Sequence, residues 1–155
     1  YGTTIPTGLA QPYWNKKAYS TPSYRAQQGV GKNNWFNVKI IRYGEVILIA
    51  AEAANELGNV TKAADYVNQI RKRARANTAG ILPDVPADGN LKNAIKRERR
   101  IELAMEGERF YDLVRWGDAP SVLGNLGYQD KNRYYPIPQT AIDQSGGVLK
   151  QNPNY

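Results

Sequence analysis

The segment Ile41-Arg-Tyr-Gly-Glu-Val-Ile-Leu-Ile-Ala-Ala-Glu-Ala-Ala-Asn-Glu-Leu57, closed by Gly58-Asn59, settles the architecture of this chain. Its apolar residues Tyr43, Val46, Ile47, Ala50, Ala53, Ala54 and Leu57 recur at three- and four-residue steps, the wide face of a mostly buried helix. Leu57-Gly58-Asn59 supplies a C-cap, and Thr61 is placed to cap the next helix. Ala63, Tyr66, Val67, Ile70 and Ala74 then form a second stripe, reaching to about Asn77. A connection this short implies two antiparallel helices.

Downstream, residues 78–90 hold Gly80, Pro83, Pro86 and Gly89 without any period and read as a loop. A third helix starts near Leu91, with Leu91, Ala94, Ile95, Ile101 and Met105 on one face and Glu98, Glu102 and Arg109 sharing it. Gly107 weakens that helix without ending it. Phe110, Leu113, Val114 and Trp116 carry the apolar face to Gly117, and the rest reads as loop with one helical turn around residues 140–144. Upstream, residues 1–37 are rich in Pro, Gly, Ser, Thr, Asn and Gln and read as a long ordered loop region. The expected division is therefore 1–37 as aromatic, polar loop and 38–155 as the helical part, together one all-α domain.

The chain has 155 residues, with 41% of them hydrophobic, enough for a sizeable core. It contains no cysteine and no histidine, which excludes thiol nucleophiles, disulfides, thiolate or imidazole zinc sites and every Ser-His or Cys-His catalytic arrangement. The reading assigns no catalytic residue, metal or cofactor. Lys and Arg number 21 against 14 Asp and Glu, a net charge of +7. The excess lies in residues 1–44, where Lys16, Lys17, Arg25, Lys32, Lys39 and Arg42 stand without one acid. Such a segment suits an anionic partner or one face of something larger. The longest apolar run, Val46-Ile-Leu-Ile-Ala-Ala51, is far short of the roughly 20 residues of a membrane span. The first residues show neither the basic nor the apolar region of a signal peptide.

Several motifs dissolve on inspection. Gly29-Val-Gly31-Lys32-Asn33 lacks the glycine spacing and the hydroxyl residue of a phosphate loop. Arg71-Lys-Arg-Ala-Arg75 and Lys96-Arg-Glu-Arg-Arg100 scatter around their helices, as solvated faces and ion pairs do, so no nucleic-acid partner is expected. Glu98, Glu102 and Glu106 climb one side of the third helix, each with an arginine within reach. Because Glu98 and Glu102 share the apolar face, their burial requires pairing, and Arg42, Arg109 and Arg115 are the expected partners. Asn59-Val60-Thr61 matches a glycosylation acceptor but falls where caps are wanted. Trp116 and Tyr134-Tyr135 read as core anchors.

Three segments together resemble the SusD/RagB-like outer-membrane nutrient-binding proteins of glycan-degrading Bacteroidota. The first is the helix pair already quoted, whose second member ends Asn68-Gln-Ile-Arg-Lys-Arg-Ala74. The second and most specific is Glu98-Arg-Arg-Ile-Glu-Leu-Ala-Met-Glu-Gly-Glu-Arg-Phe-Tyr-Asp-Leu-Val-Arg-Trp-Gly117. The third is Tyr135-Pro-Ile-Pro-Gln139 leading to Gln151-Asn-Pro-Asn-Tyr155, with Asn154 where the family usually has glycine. The resemblance runs from about residue 36 to the last residue. It implies tetratricopeptide-like helix pairs wound as an α-α superhelix with long ordered loops. It further implies a non-catalytic surface lipoprotein of the outer membrane that captures polysaccharide or oligosaccharide and passes it to a SusC-like TonB-dependent transporter. The lipid-bearing cysteine and the helices that the family carries ahead of this region are expected in a longer parent protein, and membrane attachment only through that anchor.

The motifs that match are core motifs and fix no ligand contact. Sugars stack their C–H faces on Trp and Tyr and bond their hydroxyls to Asn and Gln. That chemistry selects Tyr13, Trp14, Tyr24 and Trp35, interleaved with Gln27, Gln28, Asn33 and Asn34, as candidate glycan-binding residues. A tetratricopeptide-like protein-interaction scaffold without sugar binding is the competing reading.

Overall fold

The computed structural model describes residues 8, 15–28, 37, 39–76, 78 and 80–155. All regular structure among them is helical: α1 Pro22–Gln27, α2 Tyr43–Glu56, α3 Val60–Arg75, α4 Leu91–Glu102, α5 Arg109–Arg115, α6 Ala119–Leu123 and α7 Gln139–Gln144. Short 3₁₀ turns lie at Lys16–Ala18, Gly124–Leu126 and Asp130–Arg133. The chain forms two compact units, residues 1–98 and 99–155.

In the first unit, α2 ends in a Schellman arrangement. Gly58 N–H donates to Asn55 O at 3.0 Å and Asn59 N–H to Ala54 O at 2.8 Å, with Gly58 at φ +77° where a Cβ would be strained. Asn59 then changes role within the same turn. Its Oδ1 accepts from Lys62 N at 3.2 Å, so Asn59 and not the expected Thr61 caps α3. A side-chain oxygen at the N-cap satisfies an orphan amide, and Asn ranks with Asp and Ser in that position.

Between α2 and α3 the contact residues are mostly small. Ala51 and Ala54 meet Ala63, Ala64 and Val67, and Val85, Leu91 and Ile95 complete the cluster. Ile47, Leu48 and Ile70 form a second cluster, with Tyr66 packed against both. The expected face of α2 is only partly the buried one: Ile47 and Ala54 are inside, but Tyr43, Val46 and Leu57 are exposed. Val46-Ile-Leu-Ile-Ala-Ala51 is apolar around the whole circumference, so periodicity alone does not choose which face meets α3.

The amide of Asn68 is one of the side chains that fasten the connection between α3 and α4, beside Arg71 and Arg75. Asn68 Nδ2 donates to Val85 O at 3.1 Å and its Oδ1 accepts from Val85 N at 2.8 Å, as a neighbouring strand would. This holds Val85 in the core. Replacing Asn68 with Ala strands both backbone groups of a buried residue, and an unsatisfied buried group costs about 1–3 kcal/mol. The expected result is a loss on that scale in urea unfolding, together with faster amide exchange confined to residues 80–90. Unchanged exchange there would show that the loop is held by other means.

In the second unit the expected long third helix is two helices. Met105 at φ +65° and Gly107 at φ +96° interrupt it, and α5 restarts at Arg109. Ile101 is accordingly exposed rather than interior. At 100° per residue it sits about 120° from Ile95, off the stripe that Leu91, Ile95 and Glu98 continue. The α5 terminus repeats the α2 ending, with Gly117 N–H to Val114 O at 3.1 Å and Asp118 N–H to Leu113 O at 2.8 Å. Leu103, Leu113 and Ala119 are buried here. Later in the chain, Gln151 repeats the Asn68 device on Ile137, donating to its O at 2.9 Å and accepting from its N at 2.8 Å. Neither α6 nor the 3₁₀ turns were legible as elements, being too short to show a period.

A candidate aromatic cleft

Of the residues chosen from sequence, Tyr13, Trp14, Trp35, Asn33 and Asn34 lie outside the described residues. Tyr24, Gln27 and Gln28 lie on or just after α1, within the segment expected to be loop, and all three are exposed. The helix forms because Pro22 stands at its first position and the Thr21 hydroxyl accepts from Tyr24 N at 3.2 Å.

The charged residues group differently. Glu98 is 3% exposed, and its carboxylate accepts from Arg71 Nε at 2.9 Å. Arg71 belongs to α3, not to the set Arg42, Arg109 and Arg115 named from the helix pattern, because the partner arrives from a neighbouring helix. Glu102 is half-buried, Arg42 stands at the N-cap of α2, and Arg109 opens α5. Arg115 pairs with Asp112 at 2.9 Å. Arg99 Nε bridges both oxygens of Asp112 at 3.1 and 2.9 Å, each residue 3% exposed. Sequence reasoning read the Arg99 cluster as solvated faces and ion pairs, and it did not single out Asp112 as a partner. These are structural pairs, set in the walls of the fold.

A concave feature among the described residues of the second unit is built from other residues. A cleft of ≈ 380 Å³ is lined by Phe110, Leu123, Leu126, Gly127, Tyr128, Asn132, Tyr134, Tyr135 and Tyr155. Phe110 comes from α5, Leu123 from α6, and the tyrosines from the turns and the chain end. Phe110 contacts Tyr111 edge-on at 5.9 Å between centroids, with Tyr128 at 6.3 Å and Tyr135 at 6.5 Å. Edge-to-face rings at these distances attract through their quadrupoles. Tyr155 Oη donates to Tyr134 O at 2.8 Å, and Asn152 Nδ2 donates to Tyr135 O at 2.6 Å, so the last residues tie down the cleft wall.

Tyr134 and Tyr135, expected as core anchors, are 51% and 65% exposed. The adjacent Tyr111 and Tyr135 hydroxyls, 3.3 Å apart, push the Tyr135 phenol above its ordinary value, first through that hydrogen bond and then through charge repulsion. Lys131 Nζ stands 5.1 Å from the Tyr155 centroid and Arg133 Cζ 5.4 Å from that of Tyr134, cation–π distances that place positive charge on the rim. No described helix is long and apolar enough to cross a membrane.

The pattern of the SusD family matches residues 4–129, most of the chain. The chain belongs to the SusD family. SusD-like protein P2 of Formosa agariphila is 34% identical over 98% of this chain and 35% of its own length. Surface glycan-binding protein A from Bacteroides thetaiotaomicron superposes with a TM-score of 0.59 at 35% identity, covering 79% of this chain and 26% of that one. A laminarin-binding SusD-like protein gives 0.60 at 36% identity, over 74% of this chain and 22% of that one. This chain therefore spans about a third of the length of the curated relative. The all-helical, tetratricopeptide-like class expected from the motifs is the one observed.

Proposed function

We propose that this chain is part of a non-catalytic glycan-binding protein of the outer-membrane surface, one that delivers oligosaccharide to a SusC-like TonB-dependent transporter. The observation that carries the reading is membership of the SusD family together with 36% identity to a laminarin-binding SusD-like protein over 74% of the chain. The absence of any histidine or cysteine from the sequence supports a binding rather than a catalytic role. Surface attachment and the handover to a transporter are properties of the whole protein in this proposal. Within the chain, Tyr13, Trp14, Tyr24 and Trp35, with Gln27, Gln28, Asn33 and Asn34, are the proposed contacts.

The test is migration of the chain through native gels cast with laminarin, starch, xylan or mannan. One polysaccharide is expected to retard it. Trp14→Ala and Trp35→Ala are expected to weaken retention several-fold, since a stacked aromatic contributes about 0.5–1.5 kcal/mol beyond its area. Free migration in every gel would remove the glycan reading. Retention that both variants keep would move the contacts elsewhere. The scaffold reading is favoured by the exposed Tyr43, Val46 and Ile49 along α2, and it predicts free migration in every gel.

A further inference from the structure

We infer that the tyrosine cleft of the second unit, built from residues 110–155, is a saccharide subsite. The inference rests on the glycan reading above. Its first support is the lining, which combines flat apolar surface with polar edges. Phe110, Leu123 and Leu126 offer hydrocarbon, while Tyr128, Tyr134, Tyr135 and Tyr155 each offer a ring ending in a hydroxyl. A pyranose ring has the matching character, with C–H faces and hydroxylated edges.

Its second support is a set of hydrogen-bonding groups that the fold does not consume. Asn132 Oδ1 is taken by Gln129 N at 2.7 Å, but its Nδ2 has no partner among the described residues. The hydroxyls of Tyr128 and Tyr134 likewise have none. By contrast, the Tyr155 hydroxyl is committed to Tyr134 O, and those of Tyr111 and Tyr135 to each other. The cleft thus keeps one amide and two phenols for a ligand, while its remaining phenols hold the walls. Preorganisation of this kind lowers the entropy lost on binding.

The third support is exposure. Tyr134, Tyr135 and Tyr155 are 51%, 65% and 43% exposed, so none of these rings fills the core of the second unit. The volume of ≈ 380 Å³ lies at the small end of ligand sites, about 300–1,000 Å³, which selects one or two sugar rings rather than a long chain. A purely aromatic ligand would leave the amide and both phenols without partners and is the poorer match.

The test uses the full chain with tyrosine rings ¹³C-labelled and assigned through Tyr→Phe variants. The probes are the methyl glycosides of glucose, galactose, mannose and xylose, with laminaribiose and maltose, each at tens of millimolar. Ring signals of Tyr128, Tyr134 and Tyr155 are expected to move together on one saturating curve with at least one probe. Tyr134→Ala should weaken that binding by several-fold to about tenfold, the scale of one stacked ring. Tyr128→Phe, which keeps the ring and loses only the hydroxyl, should weaken it several-fold with the thermal transition unchanged. Silent cleft rings with every probe, or shifts that survive both tyrosine changes, would overturn the subsite. Silence alongside retention in a polysaccharide gel removes the cleft and spares the glycan reading; silence with free migration removes both.

Discussion

Asp112→Ala is expected to lose about 3–5 kcal/mol of stability. Asp112 is 3% exposed and takes Arg99 Nε on both oxygens and Arg115 Nε at 3.0 Å on one of them. Removing the carboxylate takes the two-oxygen counter-charge from the Arg99 guanidinium, itself 3% exposed. Breaking a buried pair from one side costs about 3–5 kcal/mol, a large share of the roughly 5–15 kcal/mol that holds a domain together. The control is the Lys92–Glu56 bridge at 2.8 Å, whose side chains are 59% and 55% exposed. Glu56→Gln is expected to change stability by about 0–1 kcal/mol. Urea unfolding of both variants, followed by circular dichroism, decides the matter. Equal, small losses would mean that water reaches Arg99 readily and that the pair carries little.

The contrast between Asp112 and Glu98 shows what the sequence discloses and what it withholds. Glu98 is legible because it interrupts an apolar stripe: Leu91, Ile95 and Glu98 follow one another at helical spacing, so a buried carboxylate follows from the pattern. Asp112 and Arg99 are illegible for the same reason in reverse. Asp112 stands beside the apolar Leu113 and Arg99 sits in the charged run Lys96–Arg100, so both look like the wet side of a helix, and only the break at Met105 and Gly107 lets Asp112 be bonded by Arg99. A reading that carries one helix through Gly107 cannot bring those two residues together.

The helix pair was legible because Gly58-Asn59 is strong punctuation between two long periodic segments. Its contact face was not, since α2 is apolar on both sides. The cleft was hidden for a different reason. Phe110, Tyr128, Tyr134, Tyr135 and Tyr155 are dispersed over 46 positions and joined by turns too short to carry a period, so no local window holds them together. A weak signal existed: tyrosine is dense from Tyr128 to Tyr155, in a stretch with few aliphatic residues to form a core. The N-terminal aromatics attracted the functional reading because they are interleaved with amides over a short span, and that density is a property of the sequence alone.

Glu98→Gln is expected to show the second large effect, and here the size of the loss identifies its origin. Glu98 Oε2 accepts from Arg71 Nε at 2.9 Å, and the same guanidinium donates through Nη1 to Pro83 O at 2.7 Å. One arginine thus connects α3, the connecting loop and α4, and the side chains of the pair are only 12% and 5% exposed. Neutralising Glu98 leaves Arg71 with a carbonyl but no counter-charge in a poorly hydrated position. The expected loss is about 3–5 kcal/mol by urea unfolding. Arg71→Met should lose a similar amount, because it strands the carboxylate instead. The double variant Arg71→Met/Glu98→Gln should recover part of that sum, as removing both charges leaves no buried ion behind. Strict additivity would show that the two side chains are stabilised independently by water, and that Arg71 holds the loop through Pro83 alone.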